Sequence, residues 1–249
     1  MRKLSKIGFV FLVCLSLFTA CRHKNSIIFE GEITAAAGKK IFLAELSPTG
    51  VVMLDSVVVS HDRFTLKVDI PKEELSAKGA SFYQIMLSPR NAMTLPAQCG
   101  EHIYLKADGA HLVKNYSVTG SPEAQNMAVL DRNLTHFADS VDYLMQIYQK
   151  QMDDDSARVW VENQYALLVA HHTAFLRQFI AQHPASLTTV MAFYQKYNSK
   201  KFFSEIEDID LLKTIYYDLN SRYPNNKHVI FIKERVDYND EKIKEANTL

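Results

Sequence analysis

Two places in this sequence hold reactive or polar residues that the surrounding sequence does not explain. One is Cys99, and the other is the pair of adjacent residues Asp55 and Ser56. Cys99 is the one cysteine beyond residue 21. A thiolate is the nucleophile of disulfide exchange, and Gln98-Cys99-Gly100 has the composition of a turn. We therefore consider Cys99 a possible thiol contact for a redox partner. The alternative, which we favour, is that Cys99 is a small half-buried residue with no redox function, since unpaired cysteines are commonly buried.

Asp55 and Ser56 interrupt an apolar stretch, standing between Val51–Leu54 and Val57–Val59. Polar side chains at such a place are costly when buried without partners, which makes the pair a possible polar site. The alternative is a β-bulge or turn in which Asp55 accepts hydrogen bonds from local amides. No histidine can be assigned to the pair as a base, so the sequence does not predict a hydrolase.

The histidines and clustered aspartates give no metal or catalytic pattern. His171 and His172 point about 100° apart on a helix, and with His183 they show no zinc-ligand spacing. The set Asp131, His136, Asp139 and Asp142 could hold a cation, but a solvated helix face explains it as well. Residues 153–155 are three aspartates, which we interpret as a capped loop because the glycine of an EF-hand loop is missing. We assign no catalytic residue and expect no metal and no cofactor.

The first twenty residues predict a signal peptide. Arg2, Lys3 and Lys6 precede an apolar stretch over residues 7–18, which is shorter than the roughly 20 residues that a membrane-spanning helix needs. Thr19-Ala20-Cys21 then resembles a bacterial lipobox, with Phe18 as a departure from the usual pattern. We expect cleavage before Cys21, lipidation of Cys21 and a short tether over residues 21–25. An ordinary secretory signal is the alternative.

Composition restricts the partners that we expect. Three of the 28 basic residues and none of the 28 acidic residues fall in the first twenty, so residues 21–249 carry a net charge of −3. This excludes the basic surface of a nucleic-acid-binding protein. The expected partners are the membrane, through the N-terminal lipid, and a protein of the cell envelope. No acidic run follows Cys21, so we expect a lipid anchor in the outer membrane that faces the periplasm.

The chain divides near Gly120, because every glycine lies at or before this position. Residues 26–120 show short alternating runs, such as Phe64, Leu66 and Val68, that are typical of half-buried strands. Residues 121–236 begin with the helix start Ser121-Pro122-Glu123 and predict helices. Residues 237–249 predict a polar tail. We expect an α+β fold, with an antiparallel β-sandwich or open barrel followed by a helical domain.

Within the first half, further strands are expected near 40–46, 51–59, 82–88, 91–97 and 113–118. In the second half, helices are expected at about 121–151 and 157–182, then from Ser186 to about Tyr197, and finally at 206–221 and 226–236. Pro184 separates the second of these helices from the third, and Tyr223-Pro224 separates the last two.

The order of several short motifs resembles a known family. Phe29-Glu30-Gly31-Glu32-Ile33, Leu54-Asp55-Ser56-Val57 and Phe82-Tyr83-Gln84-Ile85 are followed by Val118-Thr119-Gly120-Ser121-Pro122-Glu123. This order is similar to the β-rich N-terminal domain of TlpA-like thiol:disulfide reductase lipoproteins of Gram-negative bacteria. His183-Pro184-Ala185-Ser186 and Tyr223-Pro224-Asn225 resemble the helical connector that precedes the thioredoxin domain in that family.

The chemistry of that family is not expected here. Its thioredoxin domain, roughly a hundred residues or more, carries Trp-Cys-x-x-Cys, and this sequence ends about where such a domain would begin and holds no Cys-x-x-Cys. We therefore predict a non-catalytic binding or scaffolding module for envelope redox or assembly proteins. One alternative is an enzyme whose site lies between the two domains, which predicts a pocket of convergent polar groups. Another is a truncated remnant of a reductase. The scaffold instead predicts an exposed apolar patch or open strand edge.

Overall fold

The computed structural model describes residues 25–71, 79–151 and 153–248. The predicted signal peptide, Cys21 and all but the last residue of the tether lie outside these residues. None of the helices in the described ranges is long and apolar enough to cross a membrane.

The first half folds into eight strands arranged as two four-stranded sheets. The strands are β1 (Ser26–Thr34), β2 (Lys40–Ser47), β3 (Gly50–Val58), β4 (Arg63–Asp69), β5 (Ala80–Ser88), β6 (Asn91–Gln98), β7 (His102–Asp108) and β8 (Ser117–Thr119). The first sheet has the order β4-β1-β7-β8 and the second sheet the order β3-β2-β5-β6. The inward positions of both sheets, among them Phe29, Leu66, Leu43 and Ile85, form one buried core. The fold is therefore a sandwich and not a closed barrel.

One strand pair departs from the expected antiparallel arrangement. β1 and β7 run parallel, with Phe29 beside Ile103 and Gly31 beside Leu105. Parallel neighbours need a long connection, and here five strands separate the two along the chain. Alternation of apolar and polar residues identifies a strand but does not give its partner, so the sequence could not show this mixed pairing.

The second half contains five helices and a short hairpin. They are α1 (Pro122–Lys150), α2 (Asp155–Gln182), α3 (Thr188–Phe193), the hairpin β9 (Lys196–Tyr197) and β10 (Lys200–Lys201), α4 (Ile209–Arg222) and α5 (Lys227–Asn247). The Ser121 hydroxyl caps α1 by accepting the amide of Ala124 at 3.2 Å. Asp154 caps α2 in the same way, by accepting the amides of Ser156 and Ala157. Both helix starts thus agree with the capping residues in the sequence.

Three expected elements differ in the structure. The helix expected from Ser186 to Tyr197 ends at Phe193, since the chain turns there into the hairpin β9–β10. The strand expected at 113–118 is limited to Ser117–Thr119. The expected polar tail over 237–249 is wrong for residues 237–247, which continue α5 with Asn239 buried against the helical core. Such contacts between distant segments are not visible in a local polarity pattern.

The first turns of α1 close one side of the sandwich. α1 packs on β6 and β8, the edge strands of the two sheets on that side, and Ala124 and Ala128 enter the sandwich core. Gly120 makes the close approach possible. It has a φ of +88°, and a Cβ there would lie 1.9 Å from the carbonyl oxygen of His102. The opposite side of the sandwich, formed by β3 and β4, has no such helix among the described residues.

Candidate functional site

The edge strand β3 is the most unusual surface of the sandwich. Its β-branched sequence Val51-Val52-Met53-Leu54-Asp55-Ser56-Val57-Val58 has high strand propensity. β2 pairs with it along its whole length. The described residues place no strand on its other side, so that backbone edge is open to a further strand.

β3 is also exposed on both of its faces. The exposed fractions are 57% for Val51, 56% for Val52, 54% for Met53 and 56% for Val58. Successive side chains of a strand point to opposite faces, so the sandwich core covers neither face of β3 over Val51–Met53. Val57, near the end of the strand, packs partly against that core. A run of apolar residues with this exposure marks an interaction surface more often than an accidental one.

The other sheet edges are protected in ways that β3 is not. β4 alternates buried Phe64, Leu66 and Val68 with exposed positions that include Arg63 and Lys67, and edge charges of this kind discourage pairing with another chain. β6 and β8 are covered by α1. Asp55 is the one charged residue of β3, so this edge lacks the usual protection against strand addition.

Asp55 and Ser56 belong to a β-bulge in this strand. Leu43 of β2 faces Asp55, while the next residue, Ala44, faces Met53, so Leu54 is an additional residue on the β3 side. The Asp55 carboxylate accepts the amide of Ser56 at 2.6 Å. Asp55 is exposed and Ser56 half-buried. The sequence had suggested that burial of these polar side chains would be unfavourable, and neither is fully buried.

Cys99 lies in the turn between β6 and β7, next to Gly100 with its φ of +89°. Its side chain is half-buried and packs against the sandwich core. It stands away from β3, since β2 and β5 separate β3 from β6 in the second sheet. The structure therefore does not bring Cys99 together with Asp55 and Ser56.

The three histidines considered above occupy different environments. His171 is exposed, whereas His172 is buried among Phe137, Phe175 and Phe202. The His172 Nε2 lies 2.7 Å from the amide oxygen of Gln195, and burial lowers the pKa of the ring. His183 stacks on Phe179. No group of three His, Cys, Asp or Glu side chains in the described ranges has the arrangement of a metal site.

Asp131 is separated from the rest of its predicted cluster. His136, Asp139 and Asp142 are exposed on α1, as expected of a solvated face. Asp131 instead is buried, and burial raises the pKa of its carboxyl to about 7. It lines a cavity of about 470 Å³ between α1 and the loops of the sandwich, where Arg90, His111 and Lys114 form part of the wall.

A second polar cluster, which the sequence did not reveal, lies where α1 meets the segment that leads into α3. The buried Glu123 carboxylate accepts the hydroxyl of Ser186 at 2.6 Å and that of Thr188 at 2.9 Å. Glu101 lines a cavity of about 290 Å³ beside it, and burial raises the pKa of Glu101, which accepts the amide of Gln98. Oε2 of Glu123 is thus used in holding α1 against the segment Ser186–Thr188.

No protein-family model matches the chain, and no curated protein matches it. The resemblance to the N-terminal part of TlpA-like lipoproteins therefore stays a prediction.

Proposed function

We propose that this protein is a lipid-anchored, non-catalytic binding module of the bacterial cell envelope, and that β3 receives an extended segment of a partner protein as an additional strand. The observation that carries the proposal is the combination of an open backbone edge with exposed apolar side chains on both faces of the same strand. Addition of a strand satisfies the backbone groups of such an edge, and the side chains supply specificity. Lipidation at Cys21 would hold this edge near partners in the same membrane.

The residues of β3 define the chemistry of the partner segment. Val51, Val52 and Met53 present apolar surface to both sides of the new strand, so the segment should be apolar on both faces. Asp55 is exposed near the middle of β3, and opposite charges facing each other across strands are favourable. A basic side chain opposite Asp55 would therefore fix the register. Envelope redox or assembly proteins are the class in which we expect this partner.

Two cavities favour the alternative of an enzyme with a site between the two domains. These are the cavities of about 290 and 470 Å³ described above, and both are lined by residues of the sandwich and of α1. Their most buried acids, however, already have structural partners. Glu123 accepts two hydroxyl hydrogen bonds from the segment Ser186–Thr188, and Asp131 accepts one from Tyr116. Catalytic acids and bases need a proton that a substrate can reach. We therefore regard Glu123 as a contact within the helical half and Asp131 as a contact between α1 and the sandwich.

Site-specific photo-crosslinking tests the proposal in the bacterial envelope. A photo-reactive amino acid replaces Val52 in the full-length lipidated chain, and the matched control carries it at Lys67, which is exposed on the other open edge, β4. The proposal predicts one dominant adduct from position 52 and none from position 67. A double substitution of Val51 and Met53 by lysine should abolish the adduct while the far-ultraviolet circular dichroism stays unchanged. Equal crosslinking from both positions, or an adduct with a second copy of this chain, would contradict the proposal.

The anchor is tested separately by mass spectrometry of the mature N-terminus. Lipidation predicts an acylated Cys21 as the first residue, and Cys21→Ser should release the protein from the membrane fraction. An unmodified N-terminus at another residue would show an ordinary secretory signal and would overturn the anchoring part of the proposal, without bearing on β3.

A further inference from the structure

A cavity of about 690 Å³ lies in the helical half, and its walls contain none of the candidate residues considered above for function. One wall is the β9–β10 hairpin and the other is the face of α5 that carries Arg235, Tyr238 and Asn239. Its volume is within the range of small-molecule sites, about 300 to 1,000 Å³. We call this cavity the lysine cleft, after Lys196, Lys200 and Lys201 on its hairpin wall.

Two of the three lysines are arranged in a way that costs stability. Lys196 and Lys201 face each other directly across the two-stranded hairpin, and like charges at facing positions of a strand pair are destabilising. All three side chains belong to exposed residues. None of them takes part in an ion pair within the described part of the chain. Their positive charge is therefore available to a ligand.

Two of the three acids that line the cleft are already neutralised, and the third, Glu207, is exposed. Arg235 donates its Nε hydrogen to the Glu205 carboxylate at 3.1 Å, the Tyr194 hydroxyl donates to the same group at 2.7 Å and the Asn239 amide at 3.2 Å. Burial acts to raise the pKa of Glu205, but these bonds outweigh it and hold the pKa below its ordinary value. Asp208 is paired with Arg177. The remaining charge of the cleft is thus dominated by its lysines.

Aromatic side chains continue the cleft beyond the lysines. Tyr194 and Tyr238 are among its exposed lining residues. The guanidinium of Arg235 lies 5.2 Å from the centre of the Tyr238 ring, which fixes the ring beside the Glu205 network. Flat apolar surface next to a cationic rim suits a ligand that has an aromatic or apolar body and an anionic end.

We propose that the lysine cleft is a binding site for a small organic anion, with its phosphate or carboxylate group on Lys196 and Lys201 and its aromatic or apolar body against Tyr194 and Tyr238. The bound anion would remove the repulsion between the two facing lysines. This site is separate from β3, so a ligand here is a second binding activity of the protein.

Isothermal titration calorimetry on the full-length lipidated chain tests the site with three probes: phenyl phosphate, inorganic phosphate and uncharged benzyl alcohol. Phenyl phosphate should bind most tightly and weaken with added salt, because exposed charge pairs are screened. The double variant Lys196→Ala/Lys201→Ala should lose about tenfold or more in affinity, equivalent to about 1.4 kcal/mol. Lys196→Arg/Lys201→Arg should restore most of it. The matched control, Lys67→Ala/Lys150→Ala, removes two exposed lysines outside the cleft and should bind as the unchanged protein does.

The variant Tyr238→Leu separates the two halves of the ligand. It should weaken phenyl phosphate and leave inorganic phosphate unchanged, because the ring contacts only the organic body. Absence of saturable phenyl phosphate binding up to the order of 10 mM would overturn the proposal. Equal binding by the alanine variant with an unchanged circular dichroism spectrum would also overturn it, as would tighter binding of benzyl alcohol.

Discussion

Tyr116 donates its phenolic hydrogen to the Asp131 carboxylate at 2.7 Å, and both groups are buried. Tyr116 precedes β8 at the end of the sandwich, and Asp131 lies on the third turn of α1, so the bond ties the two halves of the chain together. Burial raises the pKa of both side chains, that of Asp131 to about 7. A carboxyl with so high a pKa stays protonated and neutral over much of the pH range in which exposed aspartates are charged.

The first prediction concerns the pH dependence that Asp131 gives to stability. Its carboxyl ionises near pH 3.8 when unfolded but near 7 when folded, so the folded state holds the extra proton between these values. Its contribution is complete below pH 3.8 and is lost as the pH rises to 7, about 4 kcal/mol in all. Asp131→Asn keeps an acceptor for Tyr116, and urea denaturation should show that its stability relative to the unchanged protein rises across this range.

Asp139→Asn provides the control, since it removes an exposed carboxyl of the same helix whose ion pair, with Lys114 at 3.6 Å, is also exposed and contributes little. Its stability curve should run parallel to that of the unchanged protein. Parallel curves for Asp131→Asn as well would show that the buried carboxyl is not protonated in the folded state.

The second prediction has the opposite sign and concerns His228. Burial, with the nearby charge of Lys227, lowers the pKa of this imidazole from 6.5 to about 4, and its ring packs edge-on against Phe82. The stability it supports is present above pH 6.5 and is lost as the pH falls towards 4, about 3 kcal/mol. His228→Gln should remove this loss in acid denaturation, whereas His136→Gln, on the exposed face of α1, should leave it in place. An unchanged acid transition in His228→Gln would contradict the assignment.

The third prediction concerns the contact between α1 and α3. Glu123→Ala leaves the buried hydroxyl of Ser186 without its acceptor and leaves that of Thr188 only the more distant backbone oxygen of residue 123, at 3.3 Å. A buried donor without an acceptor costs about 1 to 3 kcal/mol, so the free energy of unfolding should fall by about 2 kcal/mol or more in urea denaturation. Glu241→Ala, an exposed position of α5, should change it by less than about 0.5 kcal/mol. A loss no larger than that of the control would mean that the cluster does not hold the two helices.

The sequence was sufficient where structure depends on neighbouring residues. Ser121-Pro122-Glu123 located the start of α1 because capping acts within one turn. The alternation of Phe64, Leu66 and Val68 located β4 because the sandwich buries one face of that strand. The two-part α+β fold follows from the same local patterns.

The sequence was insufficient where distant residues meet. Val51–Leu54 has the composition of a buried strand, and its exposure follows from the position of β3 at the edge of the second sheet. Glu123 and Ser186 are 63 residues apart, and the lysine cleft combines residues 193–208 with residues of α5. No local spacing connects such positions, so neither the Glu123 cluster nor the lysine cleft could be predicted from the sequence.

The fourth prediction separates β3 from Cys99 as the contact for a partner. If the partner binds at β3, its capture from the envelope should be the same with and without reductant and unchanged by Cys99→Ser, because Cys99 lies beside β6 and not at the open edge. A crosslinking pull-down of the lipidated protein measures both effects. A partner that is lost with reductant and in Cys99→Ser would instead establish the thiol as the contact.

The most direct test of strand addition at β3 is a residue-by-residue crosslinking scan. A photo-reactive amino acid is placed in turn at Val51, Val52, Met53 and Leu54 of the lipidated protein, and the partner residue in each adduct is mapped by mass spectrometry. A paired strand predicts that the crosslinked partner residue moves along one short segment in step with the position on β3, because each residue of a strand has a fixed neighbour. Crosslinks scattered over unrelated parts of the partner, or none at all, would contradict the claim that β3 binds a partner strand.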